Sequence, residues 1–157
     1  MQDLLNKFKE IVITNCDNES FEYREWFVKD HLLIVEKIAM EICDLYPDAD
    51  RNAVKALVWF HDFGKPIDAK NEFEISKTQG VEVMKEIGFE EEFINKVLEL
   101  WLLMEQKNSI DISQQPIEVQ IISTADGASH FVGKFYSSYF RDNPKETLDE
   151  IETRLNA

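Results

Sequence analysis

The sequence has few of the residues that mark secreted, fibrous or disordered proteins. Its 157 residues include two cysteines, four prolines and five glycines. Cys16 and Cys43 lack the spacing of a disulfide framework, so we expect both to be reduced thiols. Apolar residues make up 44% of the chain, which is enough for a packed core and argues against disorder. The length is that of one ordinary domain, and we expect residues 1–157 to form a single domain.

Basic residues are also scarce. The chain has 17 lysines and arginines but 31 aspartates and glutamates, which gives a net charge of −14. Such an acidic protein lacks the positive surface that binds nucleic-acid polymers or anionic membranes. No apolar run approaches the roughly 18 residues of a membrane span, and the N-terminus lacks the apolar segment of a signal peptide. We therefore expect a cytoplasmic monomer or weak homodimer, with neither a nucleic-acid polymer nor a membrane as partner.

Apolar residues recur at steps of three and four along most of the chain, which is the helical period. Alternating patterns typical of strands are absent. The sequence therefore predicts an all-α, single-domain helical bundle. Polar connections are predicted at 67–73 and 107–115, and helices at 2–14, 21–46, 51–61, 76–87, 90–104 and 117–140, with a short C-terminal helix at about 144–155.

Two helix ends carry recognisable capping signals. Asp48 or Asp50 is suited to cap the helix at 51–61, because aspartate accepts hydrogen bonds from the free N–H groups of a first turn. Gly88 is the expected C-cap of the helix at 76–87, since glycine adopts the left-handed conformation at low cost.

The chain contains three histidines, and two of them fall on apolar helix faces. His31 lies four residues after Phe27, and His61 ends a helix that is apolar on almost every side. Each is compatible with a core histidine that has a single hydrogen-bond partner. Asp62 changes this interpretation, because a carboxylate at the buried end of an apolar helix requires a cation or a donor.

Asp126 is a further candidate, since apolar residues precede it and small residues follow it. On its own, an aspartate in a helix is usually solvated. Together with His31, His61 and Asp62, it would complete a mixed nitrogen and oxygen ligand set. Such a set suits Mn, Fe, Co, Ni, Zn or Mg.

These residues resemble the HD-domain superfamily of metal-dependent phosphohydrolases. The resemblance is carried by His31, the run HDFGK at 61–65 and Asp126 in the segment TADGASHF at 124–131, and the HD-like core spans about residues 25–140. It implies an all-helical core and one divalent ion bound by His31, His61, Asp62 and Asp126. Two-metal members add two histidines, but Lys77 and Met104 are found about where these would be expected. The resemblance therefore implies a mononuclear site.

Other residues near the HD pair are candidates for contact with substrate. Asp62 and Lys65 are the candidate catalytic residues. Lys65 lies three residues after Asp62, near enough to bind a phosphoryl oxygen of a substrate at the metal; alternatively, Lys65 only complements a helix end. His130 follows Asp126 by one turn and would bind substrate, orient Asp126 or donate a proton; alternatively, it is a histidine of the helix surface or a hydrogen-bonded core histidine. Weaker candidates are Asp68 and Glu72 as acid–base groups and Arg24 as an anion contact.

The function implied is hydrolysis of a small phosphoester, either a nucleotide or another phosphomonoester. The acidic surface argues against a polymeric substrate. One alternative is a non-catalytic metal- or nucleotide-binding module with an HD-like fold. Another is a helical interaction protein in which the histidines and aspartates are ordinary core residues.

Overall fold

The computed structural model describes residues 1–143 and residue 150. Helices and turns account for all regular structure in this part of the chain, and no strand occurs in it. The predicted all-α fold is confirmed. The predicted C-terminal helix at 144–155 lies outside the described residues, apart from position 150. Among the described helices, none is long and apolar enough to cross a membrane.

The described part of the chain forms α-helices joined by turns. The α-helices are α1 (Gln2–Cys16), α2 (Leu33–Leu45), α3 (Arg51–Phe60), α4 (Glu72–Ile75), α5 (Val81–Ile87), α6 (Glu91–Glu105), α7 (Ile117–Ser129) and α8 (Phe135–Asp142). A π-helical turn (Val28–Leu32) runs into α2, a second one (Ser76–Gly80) joins α4 to α5, and a 3₁₀ turn (Ile112–Gln114) precedes α7.

Helix α3 lies at the centre of the bundle. It packs against α1, α2, α6 and α7, and every residue from Val54 to Phe60 except Lys55 is buried. A helix that is apolar on nearly all sides is stable in water only when other helices surround it. Its C-terminal end therefore delivers the residues that follow, His61 and Asp62, into the interior of the protein.

Both capping predictions are confirmed. One carboxylate oxygen of Asp50 accepts hydrogen bonds from the backbone N–H groups of Asn52 and Ala53, at 3.0 and 3.1 Å. The other oxygen lies 2.7 Å from the Lys96 ammonium on α6. Gly88 ends α5 with φ +100°, in the left-handed region. Asp50 thus both starts the central helix and ties it to α6.

We expect Asp50→Ala to lower the free energy of unfolding at pH 7 by about 1 kcal/mol, the usual cost of a lost N-cap. Burial raises the pKa of Asp50, but the hydrogen bond from Lys96 and those from the backbone outweigh it and hold the pKa below its ordinary value of 3.8. A carboxyl group with a depressed pKa stabilises the fold above its unfolded-state pKa and loses this effect as the pH falls through its native pKa. Urea unfolding should therefore show a smaller difference between the two proteins in strongly acidic buffer than at pH 7.

Asp50→Asn is the matched control, because asparagine caps a helix about as well but has no charge. It should keep most of the stability at pH 7 and lose the acid dependence that this group contributes. An Asp50→Ala defect of equal size at neutral and strongly acidic pH would contradict this account.

The predicted helix at 117–140 is wrong in one respect, since it is interrupted. Helix α7 ends at Ser129 and α8 begins at Phe135. Gly133 lies between them with φ +83°, and a Cβ atom at this position would come within 2.9 Å of the Ile34 side chain. The left-handed backbone and the close approach to α2 turn the chain back, so that α8 does not continue the line of α7.

The predicted helix at 21–46 also begins later than expected. Residues 21–26 form turns, with the backbone N–H groups of Arg24 and Trp26 bonded to carbonyl groups three residues earlier. Regular helix starts only at Val28. Smaller differences are that α4 takes up the end of the predicted connection at 67–73 and that the predicted loop at 107–115 contains a 3₁₀ turn.

Candidate metal centre

Three parts of the chain bring the candidate ligands together in the interior. His31 lies in the π-helical turn before α2, His61 and Asp62 follow α3 directly, and Asp126 lies in α7. His31, His61 and Asp126 are buried, and Asp62 is nearly so. Single π-helical turns often occur at functional sites, because the extra residue changes where a side chain points.

Hydrogen bonds at the Nδ1 atoms determine the tautomer of both buried histidines. His61 Nδ1 lies 2.8 Å from the Val58 carbonyl oxygen, which can only accept, so Nδ1 carries the proton. His31 Nδ1 lies 3.0 Å from the Ser129 hydroxyl, which itself donates to the Asp126 carbonyl at 2.7 Å. The hydroxyl therefore accepts from His31 Nδ1–H. In the neutral form of each ring, Nε2 is left with a free lone pair.

The two Nε2 atoms point toward each other and toward two carboxylate oxygens. They lie 3.4 Å apart. Asp62 Oδ2 is 3.1 Å from His31 Nε2 and 3.2 Å from His61 Nε2, and Asp126 Oδ1 is 3.8 Å from each. We call these four atoms the inner cluster. With neutral rings, all four are acceptors without a donor among them, an arrangement that is costly when buried unless a cation joins it.

Two lysines hold the outer oxygens of the same carboxylates. The Lys65 ammonium donates to Asp62 Oδ1 at 2.6 Å, and the Lys107 ammonium donates to Asp126 Oδ2 at 3.0 Å. Each carboxylate is thus oriented with one oxygen in the inner cluster and the other on a lysine. Sequence reasoning missed Lys107; it follows the end of α6, where a basic residue is common, and nothing in the sequence connected it with Asp126.

The electrostatic environment keeps both carboxylates ionised. Burial raises the pKa of Asp62, but Lys65 and the two histidines outweigh this effect and hold the pKa well below its usual range. Burial likewise raises the pKa of Asp126, and His61 and Lys107 lower it to a net decrease. Burial dominates at His31 and lowers its pKa. At His61, burial also lowers the pKa, but the charge and hydrogen bond of Asp62 together with the charge of Asp126 outweigh it and raise the pKa. The cluster therefore favours taking up a positive charge.

His130 lies at the edge of this cluster. Its Nε2 atom is 3.7 Å from Asp126 Oδ1, and its ring lies 5.5 Å from the His31 ring, nearly parallel to it. Burial lowers the pKa of His130 to about 4, so the ring is neutral at neutral pH. The side chain is still 28% exposed, which leaves it within reach of a ligand that enters the site.

The turn after the HD pair is held tightly against α4. A Cβ atom on Gly64 would lie 2.1 Å from the Glu72 carbonyl oxygen, so only glycine fits there. The Gly64 N–H donates to the buried Ser76 hydroxyl at 2.9 Å. This packing places the Glu72 side chain near Lys65: burial raises the pKa of Glu72, and Lys65 partly offsets the rise.

The remaining candidates from the sequence lie in different surroundings. Asp68 accepts hydrogen bonds from Lys70 and Asn71 within its own turn, which is a structural role. Arg24 lines an acidic surface pocket together with Glu19, Glu22 and Glu25. Sequence reasoning also missed Glu105 at the end of α6, whose pKa is raised by burial and by the charge of Asp62.

The inner cluster fits a single divalent ion. Nitrogen and oxygen ligands at about 2.0–2.2 Å from one ion lie roughly 3–4 Å from each other. The two imidazole nitrogens lie 3.4 Å apart, and each is 3.1–3.8 Å from the two carboxylate oxygens; imidazole with carboxylate suits ions from Mg²⁺ to Zn²⁺. Where two-metal relatives would have further histidines, Lys77 is exposed and Met104 is a core residue.

Comparison with known proteins assigns most of the chain to one family. A family model described as HD domain matches residues 28–129, which is more than half of the chain and includes the whole inner cluster. Comparison with curated proteins and with solved structures found no match. The chain belongs to the HD-domain superfamily of metal-dependent phosphohydrolases.

Proposed function

We propose that the protein hydrolyses a small phosphoester, such as a nucleotide or another phosphomonoester, with one divalent ion at the inner cluster. The observation that carries the proposal is the geometry of this cluster. Four buried lone-pair atoms face one another, and a lysine holds the outer oxygen of each carboxylate. A site whose only purpose was structural would not need to keep four acceptors facing one another.

His31, His61, Asp62 and Asp126 would hold the ion. When bound there, a divalent ion acts as a Lewis acid toward a phosphoryl oxygen and lowers the pKa of a coordinated water molecule. Asp62 would also accept a hydrogen bond from the attacking water. Because the surrounding side chains are buried, these charges interact in a medium with little water, where electrostatic effects are strong.

Lys65 is the residue best placed to contact the phosphoryl group. Its ammonium lies at Asp62, and its side chain is 29% exposed, so it borders both the buried cluster and solvent. Burial lowers the pKa of Lys65, but the charge and hydrogen bond of Asp62 together with the charge of Glu72 outweigh it and raise the pKa above its ordinary value, so the charge persists. His130, whose side chain is 28% exposed beside Asp126, would also contact substrate. In a chain of net charge −14, the local positive charge of Lys65 is needed to attract an anion.

The small size of the substrate follows from the same charge distribution. A nucleic-acid polymer would require a row of basic residues along a groove. The basic residues that contact the inner cluster are Lys65 and Lys107, which is enough for a small anion in a chain of net charge −14. We therefore propose a small phosphorylated substrate.

The test is phosphate release from a broad panel of nucleotides and phosphomonoesters. Protein purified without a histidine tag or chelator would be loaded with Mn²⁺, Co²⁺ or Ni²⁺. The proposal expects metal-dependent release of phosphate from at least one substrate class. Full metal occupancy without any release would contradict it and would favour a non-catalytic binding module.

Metal affinity should depend on pH in a direction set by His61. A proton competes with a metal ion for Nε2. Metal affinity is therefore retained where the imidazole is neutral and is lost as the pH falls through the pKa that this histidine has in the folded protein. The ordinary histidine pKa of 6.5 would place the loss near that pH, but the pKa of His61 is raised. Metal affinity should therefore begin to fall above pH 6.5. A Mn²⁺ or Co²⁺ affinity that is the same at every pH from 7.5 to 5 would exclude imidazole ligands.

A further inference from the structure

Asp126 Oδ1 is surrounded by three imidazole nitrogens at nearly equal distances. His31 Nε2 and His61 Nε2 each lie 3.8 Å from it, and His130 Nε2 lies 3.7 Å from it. All three contacts are too long for a hydrogen bond. His130 is therefore not held at Asp126 by a direct hydrogen bond.

The position of the His130 ring is determined by packing as well as by the helix. The ring lies 4.2 Å from the Phe135 ring and 5.5 Å from the His31 ring. Phe135 in turn contacts His31 and Trp26. The chain turn at Gly133 brings Phe135 back into this position. His130 is thus supported on two sides by aromatic rings, with Nε2 near the carboxylate of Asp126.

Two groups of three donor atoms, which share His31, each have a spacing that could hold a metal ion. His31, Asp126 and His130 each offer one atom within 4.8 Å of the others, and His31 is shared with the group formed by His61 and Asp62. We propose that His130 Nε2 is a third imidazole ligand of the ion, an inference that rests on the metal centre of the proposed function. The resulting set is three imidazoles and two carboxylates.

A third imidazole changes which ions the site prefers. Imidazole suits Zn²⁺, Ni²⁺, Co²⁺ and Fe²⁺, whereas Mg²⁺ prefers oxygen ligands. With His130 as ligand, the site favours the borderline transition metals over Mg²⁺. If His130 acted only by orienting Asp126, its loss would weaken the binding of all of these ions to a similar extent.

Direct coordination can be tested by NMR, because the chain contains only three histidines. Tag-free protein labelled with ¹⁵N-histidine would be loaded with ¹¹³Cd²⁺, and splitting of an imidazole nitrogen resonance by ¹¹³Cd identifies a bonded ring. His130→Gln assigns the His130 signals. Saturation with Zn²⁺ provides a second measurement, since a coordinated nitrogen changes its chemical shift strongly even if exchange removes the splitting.

Each result leads to a different conclusion. Three coordinated rings support the inference. Coordination of His31 and His61 alone overturns it and leaves the metal centre intact. No coordinated ring in either the Cd²⁺ or the Zn²⁺ sample overturns the metal centre itself.

Ion preference gives an independent check. His130→Gln should weaken Ni²⁺ or Zn²⁺ binding by about tenfold or more, the lower limit of what loss of an outer-shell partner costs, and should affect Mg²⁺ much less. Phe131→Ala is the matched control, because Phe131 is the next residue and its side chain is exposed; its metal affinities should match those of the parent. An unchanged ratio of Zn²⁺ to Mg²⁺ affinity in His130→Gln would overturn the inference.

Discussion

Asp126→Ala is expected to abolish the stabilisation of the protein by metal while the helical fold survives. A ligand that binds only the native state at a thousand times its Kd adds about 4 kcal/mol to the free energy of unfolding. Without Asp126, the inner cluster loses one of its two carboxylate oxygens, and this gain should disappear. Thermal unfolding with and without Mn²⁺ or Co²⁺ measures the difference directly.

The metal-free variant should be about as stable as the metal-free parent. Removing the Asp126 carboxylate relieves its burial and its repulsion by Asp62, and this offsets most of the attraction to His61 and Lys107 that is lost. Lys107, which pairs with Asp126 in the parent, has a side chain that is 44% exposed, so water can solvate its ammonium group once the carboxylate is removed. Glu99→Ala is the matched control, since it removes the same charge from an exposed position of α6. An Asp126→Ala variant that keeps the metal-dependent shift of the parent would show that Asp126 is not a ligand.

Lys65→Ala is expected to lower turnover by about 10²-fold, the typical cost of losing one preorganised contact with the charge of a transition state. The structure places the Lys65 ammonium on the outer oxygen of Asp62, at 2.6 Å, and its side chain extends toward solvent. Metal content should fall much less than turnover, because the four residues of the inner cluster all remain. Turnover and metal content must therefore be measured on the same samples.

Two further variants distinguish a catalytic role of Lys65 from a general effect of charge. Lys65→Arg retains the charge but changes the geometry and should be less damaging than Lys65→Gln. Lys107→Ala removes the equivalent lysine from Asp126; because this side chain is more exposed, at 44% against 29%, its loss should cost less. If Lys65→Ala turned over substrate at the parent rate, Lys65 would only complement the end of α3.

The helices were predictable because their apolar periodicity is local, whereas their interruptions depend on distant partners. The caps at Asp50 and Gly88 were found from single residues with strong local preferences. The break at Gly133 was missed, since a glycine inside an apolar pattern signals a turn only when a neighbour such as Ile34 approaches closely. The delayed start of the helix before His31 likewise depends on turn hydrogen bonds that the pattern does not reveal.

The candidate site shows the same division between local and long-range information. Sequence motifs identified His31, the HD pair and Asp126 as candidate ligands. They could not reveal that Ser129 and the Val58 carbonyl set the histidine tautomers, nor that Lys107 pairs with Asp126. The contacts of Ser129 and Lys107 depend on how separate helices pack together. The contact of the Val58 carbonyl depends on the side-chain conformation of His61 at the end of α3.

The most direct test of the metal centre is the number of ions bound per chain. Tag-free protein would be saturated with Mn²⁺, Co²⁺ or Ni²⁺, freed of excess metal and analysed for its elements and protein concentration. The inner cluster, with one complete ligand set and no histidine at the positions of Lys77 and Met104, predicts about one ion per chain. Two ions per chain, or none with any of the three metals, would contradict it.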